Sequence, residues 1–405
     1  MTAHIAVVGA SLAGLRAAEQ LRSAGHTGPI TVIGDERYLP YNRPPLSKEL
    51  LSAPSGLSPE ELHGKVAFRR RASVSDVDFR LGLPVVEADL GRGRLALEDG
   101  SAVVFDGLVA ATGLRPRRLD VPGPSAGRYV LRTLDDCVAL RGALRAGADV
   151  VVIGGGFIGC EVAATAVKSG CRVTVVEPTG APMGRVLGTA LAQAVQRYHE
   201  AAGITFLATG VAGFNGEARV TGVELTDGTV LDADVVIEAI GSLPNVEWLA
   251  GNGGLDLSDG VLCDNTLLAE GSDRLVAVGD VARFPNPLFD DVPRRVEHWS
   301  IPGDTAKRAA ATLTALINGT EPDPAPFAPI PSFWSDQLEL RFQSFGSPAL
   351  ADEVRIAEGD LDRLTDGVLA MYYRASVHIG TIAVNLPPAR QRELRGAFSA
   401  LATAA

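Results

Sequence analysis

Along the first 300 residues, short runs of Val, Ile and Ala alternate with Leu, Ala and Arg at helical spacing. "HIAVVG" at 4–9 leads into "LAGLRAAEQLRSAG" and then "ITVIGDE" at 30–36, and this order predicts a strand, a helix and a strand within about thirty residues. The same order returns as "DVVVIGGG", "FIGCEVAATAVKSG" and "CRVTVVEP" from residue 149. Two further apolar strands end in glycine turns, "GLVAATGLRP" at 107–116 and "VVIEAIGSLPN" at 235–245, and are expected where the chain crosses between two domains. A third, "RLVAVGDVARF" at 274–284, carries an aspartate. Beyond residue 320 the Pro-rich "EPDPAPFAPIPSFW" gives way to alternating patterns, "LELRFQSFG" and "VLAMYYRA", which predict an antiparallel sheet.

The expected fold is therefore α/β, with two Rossmann-like dinucleotide-binding domains and a C-terminal α+β domain. Each repeated unit breaks into glycines where its first strand meets its helix. There, backbone N–H groups and the positive end of the helix can meet a pyrophosphate. In the second unit Gly154 permits the turn, Gly156 lets the backbone reach phosphate, and Gly159 lets helix and strand pack closely. Glu177 follows 23 residues after Gly154, where a carboxylate accepts from both ribose hydroxyls and disfavours a 2′-phosphate. NADH is thus expected over NADPH, with Arg185 close enough in sequence to compensate. The first unit has Gly9, Ser11 and Gly14, with Asp35 and Glu36 in the place of the ribose acid. Two sites suggest one dinucleotide retained and one exchanged. A retained FAD needs contacts from distant segments, for which Asp280 is a candidate at the ribityl hydroxyls.

A net charge of −11 argues against a general binder of nucleic acid or anionic membranes. No apolar run approaches the ~18 residues of a membrane span, and the N-terminus lacks an export pattern. The four cysteines, at 137, 160, 171 and 263, have no metal or Cys-x-x-Cys spacing, so reduced core thiols in the cytoplasm and no metal site are expected.

"YNRPPLSK" at 41–48, with "ATGLRPR", "LRTLDD", "GGGFIGCEVAA", "IGSLPN", "AVGDVARF" and "FWSDQ", resembles the FAD-dependent NADH:ferredoxin reductases of bacterial oxygenase systems over nearly the whole chain. The resemblance implies a glutathione-reductase-like arrangement: an FAD domain over 1–110 and 241–320, an NADH domain over 111–240, and a C-terminal interface domain over 321–405. It places FAD against the first glycine turn with Ala13 and Asp35, and against Arg43, Lys48, Val85, Thr112, Arg132, Gly279, Asp280, Trp299 and Trp334. It places NADH at the second turn with Ile158, Glu177 and Arg185, with the nicotinamide near Gly241.

Lys48 is one of only four lysines, and an ammonium beside the flavin would stabilise its anionic reduced ring. An ion pair to Glu161 is the other reading of Lys48, and the two are compatible; both residues are catalytic candidates. The implied reaction takes a hydride from NADH and delivers electrons one at a time to a 2Fe-2S ferredoxin that feeds an oxygenase. Residues 36–55 hold no cysteine, which speaks against disulfide or peroxide chemistry. Arg294, Arg295, Arg341 and Lys307 are the expected docking rim for an acidic ferredoxin. Arg69–Arg71 read as a solvated face. Pro302 and Gly303 stand where the family's pattern has Ala and Gln before a helix. The alternatives are a rubredoxin, quinone or dye reductase, or a non-catalytic flavoprotein that senses NADH.

Overall fold

The computed structural model describes residues 2–404, so the outermost ends of the expected spans, 1 and 405, lie outside it. Two five-stranded parallel sheets carry the first 300 residues. In the first, the strand order is Leu275–Ala277, Gly107–Ala110, Ile5–Val8, Ile30–Ile33, Asp78–Arg80. In the second it is Ile204–Leu207, Arg172–Val176, Asp149–Ile153, Val235–Glu238, Arg128–Tyr129. Ile5–Val8 is buried at every position, as a parallel strand covered on both faces must be, which explains its unbroken apolar run.

The two halves share more than the sequence pattern suggests. Each inserts a three-stranded antiparallel meander before the strand that returns to pair with its glycine-turn strand: Val85–Asp89, Arg94–Leu97 and Ala102–Val104 in the first, Val211–Asn215, Gly222–Leu225 and Val230–Asp232 in the second. The crossings expected at 107–116 and 235–245 are a two-stranded antiparallel ribbon in which Ser242 faces Pro116 and Pro244 faces Leu114. The chain turns into this ribbon through Gly113 (φ +61°) and Gly241 (φ +98°).

The strand expected over 274–284 is two strands. Leu275–Ala277 closes the first sheet; Gly279 then takes φ +75°, and Ala282–Asn286 joins a separate three-stranded sheet. That break places Asp280 at the wall of a cleft. Pro302 and Gly303 do not interrupt the helix that follows, which runs Ile301–Ile317. Proline in a first turn has no helical hydrogen bond to lose. This helix lies along Leu12–Ser23. The C-terminal sheet is antiparallel, ordered Ser332–Gln337, Leu340–Gly346, Val377–Val384, Val368–Arg374, Glu353–Glu358.

Candidate active site

Both glycine turns are fixed by backbone crowding. A Cβ on Gly9 (φ +116°) would stand 2.1 Å from the Ala111 carbonyl oxygen, and one on Gly14 would stand 1.8 Å from that of Gly9. In the second turn a Cβ on Gly154 (φ +101°) would lie 2.4 Å from the Ala239 oxygen, and one on Gly159 would lie 2.1 Å from the Gly154 oxygen. Gly156 differs, because a Cβ there would meet nothing within 4 Å. Its lack of a side chain serves open space, as a ligand cradle requires. Ser11 and Gly156 precede the two helices, and neither supplies a side-chain cap, which leaves the helix-start N–H groups to another acceptor.

The acids behind the turns are not equivalent. Glu177 Oε2 accepts from the Gly155 N–H at 2.8 Å, and Oε1 accepts from the Thr179 N–H at 2.9 Å and hydroxyl at 2.6 Å. Burial works to raise its pKa, but these hydrogen bonds and Arg185 outweigh it and hold the carboxyl below its ordinary value. Three of about four acceptor positions are thus taken, which leaves room for one ribose hydroxyl rather than the two expected. In the first unit Glu36 is engaged by Arg43 and by the Tyr41 hydroxyl. Asp35 and Glu36 both line the cleft. Glu36 is therefore an anchor for Arg43, whose guanidinium also donates to the Arg132 carbonyl at 2.5 Å and to Ser11 Oγ at 3.3 Å.

Gly9, Ser11, Arg43 and Arg185 line one cleft of about 1520 Å³, together with Phe157, Ile158 and Glu161 of the second helix, whereas Gly14, Gly154, Gly156, Gly159 and Glu177 lie outside its lining. Single small-ligand pockets run to ~1,000 Å³, so this one has room for two large ligands. In its wall, Lys48 Nζ lies 2.7 Å from Glu161 Oε2. Glu161 is only 3% exposed, and its remaining donors are Ser47 (2.5 Å) and Ser335 (2.6 Å). Across the cleft, Arg132 pairs with Asp280 at 3.3 Å. Burial pushes the Asp280 carboxyl up against the pull of Arg132. At the mouth, the Trp299 and Trp334 rings meet edge-on at 5.3 Å, and the Trp299 indole donates to Asn42.

Ala13, Val85, Thr112, Ile158 and Gly241 also line the cleft, whereas Gly279 stands just behind it, with its N–H on Thr305 Oγ1. Arg132 Nε and His298 Nδ1, both on cleft-lining residues, are buried with no hydrogen-bond partner. Two unpartnered polar groups, two uncapped helix starts and the open face of Gly156 fit the polar, phosphate-rich outline of dinucleotides.

Of the expected docking rim, Arg294 and Arg295 line the cleft. Arg294 is paired with Asp290, and Arg295 with Asp259 (2.8 Å) and Glu297 (2.7 Å), so neither is a free cation. Arg341 and Lys307 are exposed but do not line the cleft. Sequence reasoning missed Ser47, Ser335 and Tyr41, small or singular side chains whose partners lie up to 174 positions away.

The family model for pyridine nucleotide-disulphide oxidoreductases matches residues 3–304. Rhodocoxin reductase of Rhodococcus erythropolis is 36% identical over 95% of this chain and 86% of its own. Rubredoxin-NAD(+) reductase of Ectopseudomonas oleovorans is 34% identical over 97% of this chain and 98% of its own. Among solved structures, putidaredoxin reductase in its covalent complex with putidaredoxin superposes with a TM-score of 0.86 at 31% identity, over 98% of this chain and 93% of that one. The twin turns and the shared cleft agree with this likeness. The chain is an oxidoreductase using FAD and NAD(H), and it belongs to the pyridine nucleotide-disulphide oxidoreductase family.

Proposed function

We propose that this protein is an NADH:ferredoxin reductase that delivers electrons to a 2Fe-2S ferredoxin serving an oxygenase. The observation that carries the reading is the cleft itself. Side chains of both dinucleotide units line it beside Lys48, with Ser11, Asp35 and Arg43 from the first and Phe157, Ile158 and Glu161 from the second, and no described cysteine does. All four cysteines are buried free thiols, and burial raises their pKa values, Cys137 to about 12, so the electrons must leave to an external acceptor. Buried reduced thiols also support a cytoplasmic location. No helix among the described residues is long and apolar enough to cross a membrane.

In this reading residues 1–110 and 241–320 hold FAD, 111–240 hold NADH, and 321–405 close the cleft. When bound, FAD accepts the hydride of NADH and releases electrons singly. The turn at Gly9, Ser11 and Gly14 binds one pyrophosphate, and Asp35 takes the adenosine ribose. Arg43 and Arg132 supply positive charge along the ligand, with Asp280 offering a hydrogen-bonding edge. Lys48 holds a fixed cation toward the ring, since Glu161 allows the ammonium little travel. The turn at Gly154, Gly156 and Gly159 binds the second pyrophosphate, and Glu177 selects the ribose without a phosphate. Gly241, whose missing side chain leaves open space, admits the nicotinamide. Trp299, 43% exposed, and Trp334 keep bulk water from the ring edge.

Anaerobic mixing of the flavin-loaded protein with NADH tests the reading. Bleaching by NADH, followed by recovery of colour on adding a 2Fe-2S ferredoxin, is expected. A reduced form that the ferredoxin leaves bleached would overturn it.

A further inference from the structure

We propose that Ser335 is a positioning residue for Lys48, acting through Glu161, so that the C-terminal sheet sets the cation in the cleft. Ser335 lies on the strand Ser332–Gln337 and is 1% exposed. Its hydroxyl lies 2.6 Å from Glu161 Oε1 and is the only side-chain donor to that oxygen among the described residues, whereas Oε2 takes Ser47 and Lys48. A carboxylate accepts only, so Ser335 must donate to it.

The next residue in the chain of bonds fixes that direction. Gln337 Nε2 donates to Ser335 Oγ at 3.0 Å and meets Met183 Sδ at 3.2 Å. Both neighbours of the amide nitrogen are acceptors, which leaves the Ser335 proton for Glu161. Ser47 is arranged alike, close to Lys48 Nζ at 3.3 Å while donating to Glu161 at 2.5 Å. The carboxylate is thereby held from two segments far apart in sequence, Ser47–Lys48 and Ser335.

The same strand reaches the second glycine turn. Met183 adopts φ +57°, rare for a side-chain-bearing residue, and its N–H donates to the Gly155 carbonyl at 2.8 Å. Gln337 therefore stands between the NADH turn and the lysine. Removing the Ser335 hydroxyl leaves Glu161 Oε1 without this donor, so the carboxylate can turn and its hold on Lys48 through Oε2 loosens.

The test is the midpoint potential and visible spectrum of the bound flavin, measured in wild type, S335T, S335V and S335A. Threonine keeps the hydroxyl, and valine matches its shape without it. S335V and S335A should shift the midpoint potential downward, as the cation is held less firmly beside the ring, while S335T follows wild type. Equal displacement in S335V and S335T, or none in any variant, would overturn the proposal. Loss of flavin in S335V and S335A with retention in S335T would support it, and loss in S335T as well would refute it. The inference rests on Lys48 facing the flavin, and K48M separates the two. No change of potential in K48M would refute that placement of Lys48, whereas a change in K48M with none in S335V would refute only the role of Ser335.

Discussion

Substituting Glu177 by glutamine should erase most of the preference for NADH over NADPH. The carboxylate is held ionised by Gly155 and Thr179 at the end of the strand Arg172–Val176. A 2′-phosphate placed on its ribose position brings two negative groups to roughly 5 Å, which costs about 3 kcal/mol per unit charge at an effective dielectric of about 20. Glu177 is half-buried, and solvent and salt trim this to about 2–3 kcal/mol in total, on the order of 30- to 150-fold in discrimination. E177Q keeps the shape and removes the charge, so kcat/KM for NADPH should rise about tenfold or more. NADH should lose a few-fold, as one charge-assisted hydrogen bond becomes a neutral one. Arg185 then acts on the phosphate unopposed, and R185A in the E177Q background should return part of the NADPH gain. The assay is the rate of flavin reduction by each nucleotide, read at two ionic strengths. A ratio of NADH to NADPH that E177Q leaves unchanged would refute the electrostatic account.

The two kinds of glycine in the second turn should separate by substitution. G159A drives a Cβ to 2.1 Å from the Gly154 carbonyl and should unfold or strongly destabilise the domain, whereas G156A should keep the wild-type melting temperature and flavin content but bind NADH at least tenfold more weakly. His199 is fully buried with both ring nitrogens unpartnered, and burial lowers its pKa to about 4. The folded chain takes up that proton only below about 4, and the unfolded chain near 6.5. The neutral ring's contribution is therefore complete above pH 6.5 and is lost as pH falls toward 4, by on the order of 3 kcal/mol. H199L should flatten the loss of stability measured by urea unfolding between pH 6.5 and 4, and an unchanged slope would count against the buried-histidine account. Thiol titration should find no fast-reacting cysteine in the native protein and all four after denaturation.

Legibility followed locality. Glycine spacing, strand runs and the acids at 35, 36 and 177 are patterns within some thirty residues, and they located both turns and both parallel sheets. The ribbon crossings at Gly113 and Gly241 were readable because apolar strands ended in glycine. What failed or stayed hidden depends on pairing at a distance. Arg294 and Arg295 look like free cations in the sequence, yet Arg294 shares Asp290 with Arg374, and Arg295 pairs with Asp259 and Glu297. Glu36 lines the cleft, but its ties to Tyr41 and Arg43 are not visible in the sequence. Ser335 carries no local signal, since a serine in an alternating strand is ordinary until Glu161 is brought to its hydroxyl. The two meanders escaped notice because their strands are only three to five residues long.

The most direct test of the central claim is acceptor choice by the NADH-reduced protein. Stopped-flow oxidation should be followed with a 2Fe-2S ferredoxin, a rubredoxin and a quinone at equal concentration, counting acceptor molecules reduced per NADH. The account predicts that the ferredoxin is reduced fastest, two molecules for each NADH consumed. Faster discharge to rubredoxin or quinone, or no discharge to any of the three, would contradict it.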